Sequence, residues 1–291
     1  MMTDKTGYFL SIIIPTYNRN RLIVHTVDSA LEFCKMSMCN TEIIVVDDGS
    51  TDSTIETLTD RYQNEIDSAI VKIMHNNRNL GVTKARNEGI SLATGDWLLF
   101  LDSDDLLIPD TSKQLIDILR NYSSYGMILF RCECLETGQL IGPSQVLPYE
   151  LTLSGFLNRG TPGECLPVLK TSYFSNYLYY PNLNGCEGYT YACMIRDLGS
   201  IRIDPLIARR YRTGNNDRLS SSKGITRRAC HLATFNRLLM TQFFEKLFIS
   251  TLLTTVLKMI CYWSICQIGR IIKSLTNITQ SDGKDMEKEC H

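Results

Sequence analysis

The sequence predicts an α/β fold, with a mostly parallel central sheet flanked by helices and a helical extension at the C-terminus. Three observations support this expectation. Over the first hundred residues, short apolar runs alternate with segments of helical periodicity. One apolar run, Trp97–Leu101, ends abruptly in the carboxylates of Asp102, Asp104 and Asp105. Near the C-terminus, Leu247–Ile272 is rich in large apolar residues.

Strands and helices are predicted in strict alternation up to residue 101. Because each predicted strand is followed by a helix, we expect parallel strands joined by right-handed crossovers. In chain order the predicted elements are a strand over Leu10–Ile14, a helix over Arg21–Lys35, a strand over Glu42–Val46, a helix opened by a capping box at Ser53 and Glu56, a strand over Ala69–Met74, a helix over Gly81–Ala93 and the strand Trp97–Leu101.

From Pro109 onward the pattern is less regular. Residues 138–185 are rich in Gly, Pro, Asn and Tyr, a composition typical of loops shaped around a ligand. Residues 226–275 return to helical character. The remaining predicted elements are a helix over Ser112–Asn121, strands over Met127–Arg131, Ile201–Ile203 and Ala208–Tyr211, and a polar segment over Gly214–Gly224.

The C-terminal part combines apolar residues with positive charge. The net charge of the chain is −1, yet residues 202–273 hold 13 Lys and Arg against three acids. Such a segment suits an anionic surface. Lys258, in the middle of the apolar run, disfavours a membrane-spanning helix and favours a helix lying on the membrane surface. The alternative is a helix packed on the catalytic domain or on a second subunit.

The cysteines and histidines indicate no structural metal and no secreted protein. Eleven cysteines are an odd number, and none form a CxxC pair, so we expect reduced thiols in a reducing compartment. The four histidines lie far apart in the sequence. Phe9–Ile14 is too short for the apolar region of a secretory signal, and Pro15 follows it. These features predict a cytoplasmic protein.

Each of the first four strands is followed by a loop rich in polar residues. Carboxyl ends of parallel strands meet at one edge of a sheet, so these loops can line one crevice. Clustered carboxylates suit Mg²⁺ or Mn²⁺, ions that typically hold a diphosphate. Each loop alone could be an ordinary turn, helix cap or ion pair, but their joint occurrence favours a ligand site. The loops are Pro15–Arg19, Asp47–Asp52, Asn79–Gly81 continuing into Ala85–Asn87, and Asp102–Asp105.

Taken together, four motifs resemble the family 2 glycosyltransferases: Ser11–Arg19, Val45–Asp52, Asn79–Asn87 and Gly95–Asp105. The resemblance implies a GT-A fold, a nucleotide-sugar donor, a divalent metal (Mn²⁺ or Mg²⁺) and inversion at the anomeric carbon. It divides the chain into a nucleotide-sugar-binding half over residues 1–110, an acceptor-binding half over 111–224 and a helical, basic and apolar segment over 225–291.

The resemblance also assigns roles to individual residues. Asp102 and Asp104 would form the metal-binding DxD pair, with Asp104 favoured for direct contact. Pro15, Tyr17 and Asp48 would line the nucleoside site. By residue type alone, Asp47 and Asp48 could accept hydrogen bonds from a nucleobase or ribose, and Arg86 could meet phosphate or serve only as an ion-pair partner. The residues expected to bind the nucleotide sugar are Pro15, Thr16, Tyr17, Asn18, Arg19, Asp47, Asp48, Gly81, Arg86, Asp102, Ser103 and Arg212.

Inverting transfer needs a base for the acceptor hydroxyl, and Glu187 is the candidate. The family commonly places this base in a Glu-Asp pair, and here Gly188 stands where the Asp often does. Glu164 and Asp197 are the alternatives, and Glu187 could instead only cap a helix starting near Tyr189. Arg212 and Arg218 would belong to a loop that closes over the diphosphate, or to a solvated basic loop.

The sequence therefore predicts an inverting, metal-dependent glycosyltransferase. It would transfer a sugar from a nucleotide diphosphate, UDP by family resemblance, to a hydroxyl of a saccharide acceptor. We expect a lipid-linked acceptor, cell-surface polysaccharide synthesis, peripheral contact with an anionic membrane at the cytoplasmic face of the inner membrane, and no nucleic-acid partner. A non-catalytic nucleotide-sugar-binding or scaffold protein is the alternative. The absence of a GxGxxG motif disfavours a dinucleotide dehydrogenase.

Overall fold

The structure is a computed structural model that describes residues 7–174, 177–180, 183–214 and 222–288. The chain forms two compact units, Met1–Asn215 and Asn216–His291. The first unit contains a single mixed sheet with helices packed against it, and the second is helical.

The sheet of the first unit has the strand order β3-β2-β1-β4-β8-β6-β9-β5, and β7 pairs with β9. Strands β3, β2, β1 and β4 run parallel, whereas β8 is antiparallel to both β4 and β6. The described strands are β1 (Leu10–Thr16), β2 (Thr41–Asp47), β3 (Val71–His75), β4 (Trp97–Phe100), β5 (Leu106–Leu107), β6 (Met127–Cys134), β7 (Tyr149–Thr152), β8 (Cys165–Lys170) and β9 (Ser200–Tyr211).

The helices of the first unit cover the sheet and join its strands. Two short 3₁₀ turns, Pro109–Thr111 here and Phe244–Lys246 in the second unit, supplement the α-helices. The α-helices described in the first unit are α1 (Ile23–Ser37), α2 (Thr54–Arg61), α3 (Gln63–Asp67), α4 (Val82–Leu92), α5 (Ser112–Asn121), α6 (Leu153–Arg159), α7 (Thr171–Phe174) and α8 (Gly188–Leu198).

Three of the parallel strands, β1, β2 and β4, are buried because helices cover both of their faces. Every residue of β1, β2 and β4 is buried, which explains why these strands read as continuous apolar runs rather than as alternating patterns. One face packs against α1 and α5 in the main core. The other face packs against α4, where Ile44, Val46 and Ala85 form a smaller cluster. The alternation of strands and helices in this half was predicted correctly.

The second half of the sheet departs from the sequence prediction. Strands β7 and β8 lie within residues 138–185, which were expected to be loops. Strand β9 is continuous, although two strands were expected, because irregular pairing with β6 accommodates the polar Asp204 within it. The capping-box prediction was also wrong: Ser53 makes no side-chain cap bond, and Oδ1 of Asp52 accepts the Thr54 N–H instead, at 3.1 Å.

The second unit contains α9 (Ser222–Arg227), α10 (Ala229–Phe243) and α11 (Ile249–Lys288). A disulfide joins Cys230 of α10 to Cys266 of α11, so the expectation of reduced thiols was wrong for this pair. The other described cysteines are free. By length and composition alone, Ile249–Ile271 could cross a membrane, with a mean hydropathy of 1.5 and 11% of its most apolar window buried.

One close helix–strand contact fixes how α4 sits on the sheet. A Cβ atom added to Gly89 would lie 2.4 Å from Cγ2 of Ile13, inside van der Waals contact. Only a residue without a side chain therefore allows α4 to approach β1 this closely. The contact sets the height of α4 above the sheet, and α4 carries several residues of the site described below.

We expect Gly89→Ala to lower the free energy of unfolding by about 1–3 kcal/mol because the added methyl overpacks the contact with Ile13. Urea denaturation measures this change. The matched control is Gly269→Ala, since a Cβ at Gly269 of α11 meets nothing within 4 Å. At position 269 alanine should raise the free energy of unfolding by up to about 1 kcal/mol because it has a higher helix propensity than glycine. A stabilising effect at Gly89 would contradict the packing argument.

Candidate active site

The carboxyl ends of the four parallel strands bring the predicted loops to one edge of the sheet. In the strand register Thr16 of β1 lies beside Asp47 of β2, and Asp47 lies beside His75 of β3. Strand β4 flanks β1 on the other side and leads into Asp102. A crevice beyond this edge is the usual ligand position in open parallel sheets.

Hydrogen bonds tie the loop after β1 to the loop after β2. The backbone N–H of Asn18 donates to Oγ of Ser50 at 2.8 Å, and Oδ1 of Asn18 accepts the Thr51 N–H at 2.8 Å. The buried Asp47 accepts the Ser50 N–H at 3.0 Å, and its Oδ2 lies 2.7 Å from Nδ1 of His75. In this structure Asp47 therefore shapes the turn.

Asp48 holds the loop between β3 and α4. Its two carboxylate oxygens accept the backbone N–H groups of Leu80, at 2.8 Å, and Gly81, at 2.7 Å. Gly81 has a φ of +96°, and a Cβ there would lie 2.4 Å from the side-chain amide of Asn184. Glycine at position 81 thus permits both the backbone conformation and the close approach of Asn184.

One face of α4 holds the segment that carries Glu187. Oγ1 of Thr83 donates to Oδ1 of Asn184 at 2.6 Å. Asn87 makes two 2.8 Å bonds with the backbone of Tyr179: its Nδ2 donates to the carbonyl, and its Oδ1 accepts the N–H. Residues more than ninety positions apart in the chain are joined in this way.

Arg86, on the same helix, bridges two carboxylates. Its Nη2 donates to Oδ1 of Asp102 at 2.6 Å, and its Nη1 donates to Oε1 of Glu187 at 2.5 Å. The guanidinium lies 5.7 Å from the centre of the Tyr179 ring. The Tyr179 hydroxyl is in turn 3.0 Å from that of Tyr191. Arg86 thus connects the end of β4 with the start of α8.

The Arg86 bridge stabilises charge that burial disfavours. Burial acts to lower the pKa of Arg86, but Asp102 and Glu187 outweigh it and raise this pKa. Burial likewise acts to raise the pKa of Asp102, and Arg86 and Arg209 outweigh it, so this pKa lies below its usual value. Arg86 and Asp102 therefore stay ionised as a pair.

The acidic run after β4 divides into two kinds of carboxylate. Asp102 has a side chain 39% exposed, and Asp104 is half-buried. Asp105 is buried, and burial raises its pKa to about 8 although Arg209 opposes the shift. Nη1 of Arg209 lies 3.3 Å from Oδ2 of Asp105, and the Arg212 N–H donates to Oδ1 at 2.9 Å. Asp105 therefore anchors β9 and its exit.

Arg212 lies directly beside the acidic run. Its Nε donates to the backbone carbonyl of Asp104 at 3.1 Å. The next two residues, Thr213 and Gly214, donate their N–H groups to the Glu136 carboxylate at 3.0 Å, and these bonds hold the pKa of Glu136 well below its usual range. The start of the loop predicted to close over a diphosphate is thus fixed at the acidic run.

The carboxylate oxygens at the end of β4 fit a divalent ion that takes some of its ligands from the protein and the rest from a substrate. Asp102 and Asp104 supply oxygen donors two residues apart, and the Arg86 ion pair leaves Oδ2 of Asp102 outside it. Among the described residues, no group of three or more His, Cys, Asp or Glu side chains could hold a metal by itself. Mg²⁺ and similar ions are commonly held by one or two carboxylates together with substrate phosphates.

The structure distinguishes the three candidate bases. Glu187 occupies the N-cap position of α8 but makes no side-chain cap bond, and its carboxylate turns to Arg86. Glu164 pairs with Arg209 at 3.0 Å. Asp197 pairs with Arg196 and the Tyr177 hydroxyl. Of the three, Glu187 is the one paired with a residue, Arg86, that also forms an ion pair with Asp102.

The other predicted residues differ in exposure. Tyr17 is 41% exposed, whereas Pro15, Thr16 and Ser103 are buried. Arg218 lies outside the described residues. Sequence reasoning did not identify Tyr179, Asn184 or Arg209 as parts of this network, because a single sequence carries no signal for pairs about a hundred positions apart.

Fold and site together define a glycosyltransferase of the GT-A class. A model of the family "Glycosyl transferase family 2" matches residues 11–165, just over half of the chain. The chain belongs to this family, as its motifs predicted.

Two curated bacterial relatives show how far the similarity extends. An uncharacterized glycosyltransferase of Haemophilus influenzae is 29% identical over 150 residues, 51% of this chain, and this chain spans only about half (48%) of its length. Escherichia coli WfgD, a UDP-Glc:alpha-D-GlcNAc-diphosphoundecaprenol beta-1,3-glucosyltransferase, is 28% identical over 219 residues, which cover 74% of this chain and 81% of WfgD.

Two solved structures share the fold. S. aureus TarS 1–349 in complex with UDP-GlcNAc superposes with a TM-score of 0.60 at 20% identity, covering 80% of this chain and 71% of that one. Mannosyltransferase PcManGT from Pyrobaculum calidifontis, in complex with GDP-Man and Mn²⁺, also gives a TM-score of 0.60 at 20% identity, covering 82% and 66%. At this identity the likeness establishes the fold.

We expect Arg86→Lys to lower turnover by about 10- to 100-fold, because one ammonium cannot bridge two carboxylates and a bond to a charged group contributes about 1.5–3 kcal/mol. The rate of UDP release from a UDP-sugar measures this turnover. The control is Arg61→Lys, because in the natural protein the Arg61 guanidinium pairs with a surface carboxylate, that of Asp28. Equal losses in both variants would count against a special role for the bridge.

Proposed function

We propose that the protein catalyses inverting, metal-dependent transfer of a sugar from a UDP-sugar to a hydroxyl of a saccharide acceptor. One observation carries the proposal: a single buried guanidinium, that of Arg86, contacts both Asp102 of the DxD pair and Glu187. A carboxylate suited to the donor diphosphate and a carboxylate suited to proton removal are thereby held within reach of one another.

On the donor side, Asp102 and Asp104 would hold the divalent ion, which offsets negative charge on the departing diphosphate when it is bound. Arg212 stands beside Asp104 through the backbone carbonyl bond and would face the same phosphates. Tyr17, exposed at the end of β1, would contact the nucleoside together with Pro15. Asp48 would act by fixing the loop that contains Gly81.

On the acceptor side, Glu187 would remove the proton of the attacking hydroxyl while that oxygen bonds to the anomeric carbon. Attack from the face opposite the leaving diphosphate inverts the configuration. Arg86 would orient Glu187, and Thr83 and Asn87 would fix the segment that contains it. The interactions of Glu164 and Asp197 with other partners support Glu187 over these alternatives.

The relatives support the nature of the substrates. WfgD is named for a UDP-Glc donor and a diphosphoundecaprenol-linked acceptor, and TarS was solved with UDP-GlcNAc. We propose a lipid-linked saccharide acceptor in cell-surface polysaccharide synthesis at the cytoplasmic face of the inner membrane. Residues 1–110 would bind the donor, residues 111–224 the acceptor, and residues 225–291 would contact the membrane.

Calorimetry tests the donor site first. UDP should bind more tightly in the presence of Mn²⁺, and Asp104→Ala should abolish this metal dependence, because the ion would lose a carboxylate ligand. Asp110→Ala, at an exposed acid nearby, should retain it. Metal-dependent binding of GDP but not UDP would overturn the nucleotide assignment alone. Binding of neither nucleotide would overturn the donor site.

A second experiment separates catalysis from binding. Glu187→Gln should lower kcat by at least about 100-fold, the lower end of general-base contributions, while UDP binding stays within a few-fold of the natural protein. Asp197→Asn serves as the control, since Asp197 pairs with Arg196. Metal-dependent UDP binding without any turnover in the natural protein, across UDP-sugars and lipid-linked acceptors, would favour a non-catalytic nucleotide-sugar-binding protein.

A further inference from the structure

Helix α11 carries a broad apolar stripe that the protein leaves exposed. The side chains of the stripe are each between 52% and 78% exposed. At 100° per residue they fall within an arc of about 140° around the helix. The stripe consists of Ile249, Leu253, Leu257, Ile260, Trp263, Ile268 and Ile271.

The opposite side of α11 is already occupied by α10. Thr255 and Cys266 are buried, and Cys266 forms the disulfide with Cys230. Helices α10 and α11 pack together within the second unit. This packing therefore places the stripe on the side away from α10, and helix pairing within the unit does not account for its apolar residues.

Charge around the stripe indicates an anionic partner. No charged residue of Ile249–Ile271 falls inside the arc, and Lys258 lies about 80° beyond its edge. Outside the stripe, the part of the second unit between residues 224 and 271 is strongly basic. Between residues 224 and 271 the basic residues are Arg227, Arg228, Arg237, Lys246, Lys258 and Arg270, against the single acid Glu245. Apolar residues on one side and basic residues around them suit the interface of an anionic bilayer.

We propose that α11 lies in the plane of an anionic membrane surface and immerses the stripe among the acyl chains without crossing the bilayer. This inference deepens the proposed function by naming the residues that would bring the enzyme to a lipid-linked acceptor, and it rests on that proposal for its purpose. Ile249–Ile271 spans about 34 Å, enough to cross a bilayer core of about 30 Å.

The pairing with α10 argues against crossing. A crossing α11 would take α10 into the hydrocarbon with it, because the two helices are packed together. The exposed Arg237, near the middle of α10, and Lys258, near the middle of the apolar run, would then both lie deep in the bilayer. In-plane binding keeps both cations on the aqueous side.

Flotation of the full chain with vesicles tests the inference. The protein should float with phosphatidylglycerol-containing vesicles, less with pure phosphatidylcholine, and be released by alkaline carbonate. Leu253→Glu with Leu257→Glu should reduce the bound fraction by about tenfold or more, through lost apolar burial and added charge. The charge-matched control, Thr241→Glu with Thr254→Glu, alters exposed threonines outside the stripe and should bind within about twofold of the natural protein.

Tryptophan quenching reports the depth of the stripe. Trp263 is 58% exposed on the stripe, whereas the other tryptophan, Trp97, is buried in the sheet, so brominated lipids should quench Trp263 alone. Bromines at a shallow acyl position should quench most strongly. Resistance to carbonate would overturn the in-plane arrangement in favour of crossing.

Two results would overturn the membrane assignment altogether. If the natural protein does not float, or if the stripe variant floats equally well, the stripe is not a lipid contact. A stripe variant that becomes monomeric in light scattering, where the natural protein is dimeric without vesicles, would identify the stripe as an interface between copies. UDP calorimetry on the same samples keeps the outcomes separate, because donor binding without flotation rejects this inference and leaves the proposed function standing.

Discussion

The ion pairs of Arg86 are the constraint on which the site depends. A buried guanidinium is stable only with its charge matched, and here the two matching carboxylates come from opposite halves of the first unit. Asp102 ends a strand of the parallel half, and Glu187 begins α8 after the antiparallel strand β8. Pairing this one cation therefore brings the end of β4 and the start of α8 together, and α4, which lies close on β1 because of Gly89, supplies the fixed support.

The loops at the sheet edge owe their shape to residues that family resemblance connects with the nucleotide. The carboxylate oxygens of Asp47 and Asp48 form hydrogen bonds with neighbouring hydroxyl, imidazole and backbone groups. Each of these bonds fixes a turn that leads away from the sheet. A site built in this way is organised before any substrate arrives, because the cost of ordering its loops is met during folding.

The parallel half could be predicted because its signals are local. Buried apolar runs such as Ile12–Ile14 and Leu98–Phe100 identify strands, and polar residues just beyond them mark the shared edge. The second half was predicted only in part. Helix α5, strand β6 and both ends of β9 agree with the predicted elements, whereas β7 and β8 were missed because they are short and lie in a segment rich in turn residues. The partners of Asn184, Tyr179 and Arg209 depend on tertiary contacts that no local pattern encodes. The disulfide was missed because cysteine number and spacing favour free thiols, whereas helix packing decides the pairing.

The contacts on α4 have a consequence for altering the enzyme. Thr83, Arg86 and Asn87 stand at i, i+3 and i+4, so a single turn of α4 contacts the part of the chain that carries Glu187. The bonds from this turn reach Asn184, Glu187 and Tyr179, and the Tyr179 ring also lies beside Arg86. A segment grafted from another member of the fold would keep its attachment if it preserved those three anchor points. Its exposed side chains could then be exchanged, which makes this turn of α4 a junction for building chimeric enzymes.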